Sequence, residues 1–174
     1  MKGIDQMKKI GLFYSFNSTK TAKIAEKIKS SFIGYDIQNV NVEIADENSI
    51  LLFDYMIFGA ATWFDGELPN YWDEYLPAVE EADLSGKKLA IFGLGDQINY
   101  PENFCDAIGI IADFFEKRGA QIVGKFPVEG FNFEASKAVR NNEFLGLPLD
   151  QENQARFTNI RIGKWVESLK LEFI

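Results

Sequence analysis

Three loops of the sequence carry side chains that could do chemistry. The first, residues 15–21 (SFNSTKT), is rich in hydroxyl groups and stands where a helical pattern begins. Free backbone N–H groups and the positive end of a helix dipole suit such a position to a phosphate, with Ser18 and Thr21 as further donors. The same residue types also cap helices. The loop therefore predicts either an anion site or a simple helix cap, and it has neither a Walker loop nor a G-x-G-x-x-G turn.

The other two loops combine aromatic rings with polar groups. The second begins at Ala61 and carries Trp63 and Phe64, on which a flat apolar ring could stack. The alternative is a tryptophan that anchors the core. The third begins at Leu94, carries Tyr100 and is otherwise an ordinary turn-rich connection. If all three loops meet at one edge of a sheet, a shared binding site is the better interpretation.

Composition removes several kinds of chemistry. The chain of 174 residues has no histidine and a single cysteine, Cys105. Ser/His and Cys/His catalytic pairs, a histidine general base, and zinc, haem or iron–sulfur sites built on those residues are therefore excluded. Redox chemistry would need an organic cofactor. A structural disulfide within the chain is excluded as well.

Charge and hydropathy restrict the partners. The net charge of −8 argues against nucleic acid, because phosphate backbones attract basic surfaces. Ten of the 26 acidic residues, but only two of the 18 basic ones, lie between Ala60 and Asp106. No apolar run is long enough to span a membrane, and residues 1–6 lack the apolar stretch of a signal peptide. We therefore expect a cytoplasmic protein with no nucleic-acid or membrane partner.

Alternating strands and helices are predicted to position the three loops. Buried apolar runs separated by helical patterns predict a doubly wound parallel sheet, formed by one domain spanning residues 1–174. The predicted strands are residues 9–14, 40–44, 55–61, 88–93 and 121–126. The first predicted helix ends at Gly34 and has Ile24, Ala25, Ile28 and Phe32 on its inner face. The other predicted helices are residues 71–81, 104–117 and 155–173. The inner face of the last one is predicted to consist of Phe157, Ile160, Trp165, Val166 and Leu169. Residues 127–146 are too long for an ordinary strand-to-helix turn.

Five groups of residues carry a family resemblance. They are Gly93 to Gln97 with Tyr100, Asn103 and Phe104; Thr62 and Trp63 with Gly66 to Leu68; Asp106 to Gly109; Ser136 to Ala138; and Gly146 to Gln154. On these residues the chain resembles flavodoxins of the long-chain subfamily from about Lys8 to Phe173. The resemblance implies a flavodoxin-like doubly wound five-stranded parallel sheet in the order 2-1-3-4-5, with helices on both faces and an insertion at about 127–146 that interrupts the fifth strand.

The function that the resemblance implies is electron transfer. The chain would be a monomeric, low-potential one-electron carrier with non-covalently bound FMN, exchanging electrons with basic redox partners, a flavodoxin reductase and an acceptor enzyme. Residues 93–97 and 100–103 are somewhat closer to flavodoxins associated with nitrogen fixation. Two alternatives stay open: an FMN-dependent quinone or nitro reductase on the same fold, and a flavin-free binding module.

The resemblance also implies roles for individual residues. Residues 16–21 would surround the FMN phosphate, and Trp63 and Tyr100 would flank the ring. Leu94, Asp96, Asn103 and Cys105 would approach the pyrimidine edge and the ribityl chain, with Glu152 near the ribityl chain. The implied FMN-binding residues are Phe16, Asn17, Ser18, Thr19, Lys20, Thr21, Ala61, Thr62, Trp63, Phe64, Asp65, Gly66, Leu94, Gly95, Asp96, Tyr100, Asn103, Phe104 and Cys105. No catalytic or metal-binding residue is implied.

Two loops depart from the family pattern. Ser15 and Thr19 stand at glycine positions, and Phe16 replaces a hydroxyl residue, so that Thr19 would resist a positive φ. Phe64 and Asp65 form the turn that would adjoin the reactive nitrogen of the flavin. The resemblance implies that the peptide beside this nitrogen turns over on one-electron reduction. If the flipped turn places Phe64 at a positive φ, the strain would be about 1–3 kcal/mol. We then expect a first reduction potential that rises when glycine replaces Phe64.

Overall fold

The computed structural model describes residues 8–174 of the chain. Residues 1–6, on which the prediction about a signal peptide depends, lie outside the described residues. The elements, in chain order, are β1 (Lys9–Tyr14), α1 (Thr19–Ser31), β2 (Asp36–Asn41), α2 (Glu47–Leu51), β3 (Tyr55–Ala61), α3 (Asn70–Ala78), β4 (Lys88–Leu94), α4 (Asp106–Glu116), β5 (Gln121–Val123), β6 (Phe126–Pro127), β7 (Val139–Arg140), β8 (Glu143–Phe144), β9 (Leu147–Leu149) and α5 (Thr158–Glu172), which follows a 3-10 turn (Ala155–Phe157). Within this range no helix has the length and apolar character needed to cross a membrane.

Parallel pairing builds the main sheet in the predicted order β2-β1-β3-β4-β5. Side chains of each inner strand alternate between two cores. On β1, Ile10 and Leu12 belong to the core that also contains Ile24 of α1 and Trp165 of α5, whereas Phe13 belongs to the core with α3 and α4. Helices therefore cover both faces, which is why these strands are continuous apolar runs. The predicted doubly wound α/β fold is confirmed.

The fifth strand is interrupted, although not where the sequence predicts. The strand expected at residues 121–126 ends at Val123, because the chain turns at Gly124, whose φ is +76° and whose carbonyl accepts a 2.6 Å hydrogen bond from the Trp165 indole. The chain returns to the same sheet as β9, which pairs with the second half of β4. Between them, β6, β8 and β7 form a small antiparallel sheet.

Two further predictions were wrong in detail. The second strand was expected at residues 40–44 but lies at Asp36–Asn41, where each residue pairs with one of β1. It is an edge strand and only partly buried, so its hydrophobic alternation is weak. In the last helix, Ile160 was expected inside but is 57% exposed. The buried face of α5 is instead formed by Ile162, Trp165, Val166 and Leu169.

Candidate functional site

The three loops predicted to carry chemistry meet at the carboxyl edge of the sheet. They follow β1, β3 and β4, which are parallel neighbours. The amide of Thr62 donates a 3.0 Å hydrogen bond to the carbonyl of Leu94, which ties the second loop to the third. Two adjoining cavities open there, and they share Lys20 and Ala61. The three loops therefore lie close enough together to form one shared binding site.

The first cavity, of about 460 Å³, will be called the α1 cavity, and the second, of about 250 Å³, the β4 cavity. The α1 cavity is lined by Ser15, Asn17, Ser18, Thr19, Lys20, Thr21, Glu43, Ala61, Trp63 and Tyr71. The β4 cavity is lined by Lys20, Ala61, Thr62, Leu94, Gly95, Asp96, Tyr100, Gln151 and Glu152.

The start of α1 is open toward the α1 cavity. Ser18 is the N-cap residue, but its side chain makes no cap hydrogen bond, and its hydroxyl donates instead to the Ser15 carbonyl at 2.6 Å. Ser18 thus stands at the N-cap position, as the helix-cap alternative expected, but its side chain leaves the first helical amides free. The amides of the first helical turn have no intrahelical acceptor and lie at the positive end of the helix dipole. Neither Ser15 nor Thr19 has a positive φ, so neither side chain imposes left-handed strain on the loop.

A carboxylate that the sequence analysis did not single out lies in the same cavity. Glu43 accepts hydrogen bonds from the hydroxyl of Ser15 and, at 2.9 Å, from the side-chain amide of Asn17. These two hydrogen bonds hold the pKa of Glu43 below its ordinary value. Burial and the charge of Glu43 together raise the pKa of Tyr71 to about 12. Glu43 reaches this cavity through the β1–β2 register, which places Asn41 beside Tyr14 and so the next residues beside Ser15, and no local sequence pattern indicates that register.

The two cavities meet at an ion pair. The ammonium group of Lys20, in the first turn of α1, pairs with the carboxylate of Glu152, in the loop after β9. Both side chains are at least half exposed, so the pair adds little to stability. Its effect is to hold the charge of Lys20 at the boundary between the cavities.

Two aromatic side chains border the cavities with part of their rings exposed. Trp63 is 38% exposed and lines the α1 cavity, and Tyr100 is 48% exposed and lines the β4 cavity. Trp63 is fixed by two backbone hydrogen bonds with Glu67, of 2.8 and 2.7 Å, and by edge contact with the ring of Tyr71. The alternative in which Trp63 anchors the core is therefore wrong. The tight turn that follows places Phe64 at φ +45°.

The third loop is shaped by two carboxylates. Asp96 accepts from the Asn99 amide at 2.9 Å and from the Asn153 side chain at 2.8 Å. Burial acts to raise the pKa of Asp96, but its hydrogen bonds outweigh that effect and lower it. Asp150 is buried and accepts from the backbone and side chain of Gln97 at 3.1 and 2.8 Å. Asp150, which was not among the predicted site residues, thereby joins this loop to the end of β9.

Seven of the predicted site residues line neither cavity: Phe16, Phe64, Asp65, Gly66, Asn103, Phe104 and Cys105. The Phe104 ring lies in the core, stacked 5.4 Å from that of Phe133. Cys105 is fully buried, and this burial raises the pKa of its thiol. Gly66 has a φ of +93° and lies so close to Asp106 that a Cβ would stand 2.6 Å from its carboxylate. The hydroxyl of Thr62, which does line the β4 cavity, accepts a 3.0 Å hydrogen bond from the Ala107 amide at the start of α4.

The fold and the site together define an open parallel α/β protein with a binding cleft at the carboxyl edge of its sheet. The Flavodoxin family model matches residues 12–145. A flavodoxin of Synechococcus elongatus is 44% identical over 168 residues, which cover 96% of this chain and 99% of the relative. Flavodoxin 1 of Azotobacter vinelandii is 39% identical over 173 residues, covering 97% and 99%. The crystal structure of Fusobacterium nucleatum flavodoxin bound to flavin mononucleotide superimposes with a TM-score of 0.90 at 34% identity, covering 95% of this chain and 99% of that one. The chain belongs to the flavodoxin family.

Proposed function

We propose that this chain is a low-potential one-electron carrier that binds FMN without a covalent bond. The observation that supports this function best is the start of α1, which has no side-chain cap hydrogen bond and opens onto a cavity bordered by the 38% exposed Trp63. Those features fit the two ends of FMN: helix amides suit a phosphate dianion, and aromatic faces suit a flat ring. When bound, FMN supplies electron transfer one electron at a time.

Different residues of the cleft would bind different parts of FMN. The amides of the first turn of α1 and the hydroxyls of Ser18 and Thr21 hold the phosphate. Trp63 and Tyr100 hold the ring and keep water from its faces. Asp96 fixes the backbone of the third loop, so that the amides there can meet the polar edge of the ring. The seven predicted residues outside the cavities would act through their backbone or by shaping these loops.

The charges around the cleft would set both potential and partner choice. Eight of the ten acidic residues between Ala60 and Asp106 are exposed: Asp65, Glu67, Asp73, Glu74, Glu80, Glu81, Asp83 and Glu102. Their field disfavours additional negative charge in the cleft, so we expect a strongly negative potential for the second electron. The same field would attract basic partner proteins, a reductase and an acceptor enzyme, at rates that fall with added salt.

We further propose a subfamily, a cellular compartment and an oligomeric state for this chain. The interruption of the fifth strand by a separate three-stranded sheet supports the long-chain subfamily. A single, buried cysteine fits the reducing cytoplasm. We propose a monomer of one domain, because electron carriers must present their redox edge to more than one partner in turn.

FMN titration of the apoprotein tests the proposal. We expect one FMN per chain, with flavin fluorescence quenched by the stacked rings. Trp63→Ala and Tyr100→Ala should each weaken binding at least fivefold, whereas Trp72→Phe, which changes a buried core ring, should not weaken it. Failure to take up FMN would favour the flavin-free module.

Turnover separates the carrier from a reductase. The FMN-loaded protein should oxidise NADPH only when a separate flavodoxin reductase is added, and should then pass electrons to cytochrome c. Steady NADPH oxidation by the isolated protein would contradict the carrier function and support the quinone or nitro reductase.

A further inference from the structure

A third cavity lies away from the cleft described above. It has a volume of about 710 Å³ and opens between α5 and the segment that interrupts the fifth strand. It shares no lining residue with the α1 or β4 cavity. Its apolar wall consists of Phe126, Pro127, Phe157, Ile160 and Trp165. Ile160 of α5 is 57% exposed, although it was predicted to lie on the inner face of this helix. Its side chain forms part of the wall of this cavity. The volume is within the range of small-molecule sites.

A buried arginine lies at the side of this cavity. Arg161 is only 9% exposed. Its Nη1 donates to the side-chain oxygen of Gln154 at 2.7 Å, and its guanidinium carbon lies 4.0 Å from the centre of the Phe131 ring. The Nη2 atom lies next to Gly130, which also lines the cavity: a Cβ added to this glycine would stand 3.6 Å from Nη2. Within residues 8–174, Nε and Nη2 donate to no protein acceptor and are not fully enclosed, so both can donate to a ligand that enters the cavity.

Two lysines add positive charge at the same place. Lys125 and Lys164 line the cavity, and Glu129 is the one carboxylate among its lining residues. Lys125 lies 3.8 Å from Glu143, a loose pair, and Lys164 has no ion pair within the described residues. A chain with a net charge of −8 thus concentrates three cations around one apolar cavity. Such an arrangement favours a ligand with an anionic head and an apolar body.

We propose that this cavity is a binding site for a small aromatic carboxylate. The carboxylate would accept hydrogen bonds from the free guanidinium donors of Arg161, with Lys164 as a second cation. The flat body would lie against Phe126 and Ile160. A carboxylate matches the planar donors of arginine, and an aromatic body matches the aromatic rings of the wall.

Calorimetric titration of the FMN-loaded protein with 2-naphthoate tests this site. Loading with FMN fills the flavin cleft, so that the probe cannot bind there, and unchanged flavin absorbance would verify this. We expect one 2-naphthoate per chain and at least tenfold weaker binding of the neutral 2-naphthalenemethanol. The indole N–H resonance of Trp165 should shift on titration. Equal binding of the two probes, or no binding of 2-naphthoate at millimolar concentration, would overturn the proposal.

Three variants locate the probe. Arg161→Gln should weaken 2-naphthoate at least tenfold. Because the arginine is buried and could be needed for folding, Lys164→Glu and Ile160→Asp provide the same test at exposed positions, each with at least a fivefold loss. Lys23→Gln, which removes a charge from an exposed position on α1, is the matched control and should bind like the wild type. Binding that survives both Lys164→Glu and Ile160→Asp would overturn the assignment.

Discussion

Lys20 and Glu152 form an ion pair that joins the first turn of α1 to the loop after β9, at the boundary between the α1 and β4 cavities. This ion pair determines how much positive charge Lys20 can offer to an anion in the cleft. Lys20 is the cation nearest to the start of α1 in the sequence, yet its charge is already balanced by Glu152. Phosphate binding should therefore depend on amides and hydroxyls more than on this lysine.

Thr21→Ala should weaken FMN binding more than Lys20→Gln does. Loss of a hydrogen bond to a charged phosphate costs about 1.5–3 kcal/mol, or roughly ten- to a hundredfold in affinity. Removal of the exposed, already paired lysine should cost less than about threefold. Fluorescence titration with FMN measures both values. Thr21→Ser should keep wild-type affinity, and a greater loss in Lys20→Gln than in Thr21→Ala would contradict the assignment.

Glu43→Gln should tighten FMN binding selectively. The carboxylate lies in the α1 cavity, where its charge repels a phosphate. The glutamine keeps an oxygen that can accept from Ser15 or Asn17 but removes the charge. By screened Coulomb repulsion we expect a gain of about two- to fivefold in FMN affinity at low salt. Riboflavin, which lacks the phosphate, provides the comparison: an equal gain for riboflavin would show that Glu43 acts on the loop conformation and not on phosphate charge.

The inner strands of the main sheet could be predicted from the sequence because they are covered on both faces and are therefore continuous apolar runs, whereas their order followed from the family resemblance. The edge strand β2 could not be placed, since only one of its residues is fully buried. Glu43 and Asp150 escaped prediction for another reason. Their partners Ser15 and Gln97 lie 28 and 53 residues away in the sequence, and no local pattern marks such contacts. The early end of β5 at Val123 depends on the packing of Gly124 against Trp165, which lies 41 residues further along the chain.

Cys105 should be inert to thiol reagents in the folded protein. Burial raises the pKa of its thiol, so the reactive thiolate is absent at neutral and moderately alkaline pH. Iodoacetamide should label no cysteine in the native chain at pH 7 or pH 9, and one per chain in 8 M urea. Stability should also fall as the pH rises above about 8.5, because the unfolded thiol then loses its proton and the folded one keeps it. Rapid labelling of the native chain would contradict the buried position.

Phe64 has a φ of +45° in the turn after Trp63, a left-handed conformation that the prediction assigned to this turn only after one-electron reduction. Its ring is 68% exposed and gains little from burial in return. The strain therefore belongs to the folded chain itself. It need not arise on reduction, as the expectation of a raised potential assumed.

Phe64→Gly should accordingly stabilise the apoprotein and leave its redox properties nearly unchanged. Removal of the backbone strain at a left-handed non-glycine residue should raise the free energy of unfolding, measured in urea, by about 1 kcal/mol. We expect the same φ at Phe64 in every redox state, so the first reduction potential of the FMN-loaded variant should move by less than about 20 mV, or roughly 0.5 kcal/mol. Phe64→Ala is the matched control, since it removes the ring but keeps the Cβ and hence the strain. A rise of 60 mV or more in Phe64→Gly alone, with unfolding unchanged, would show that the strain appears only on reduction.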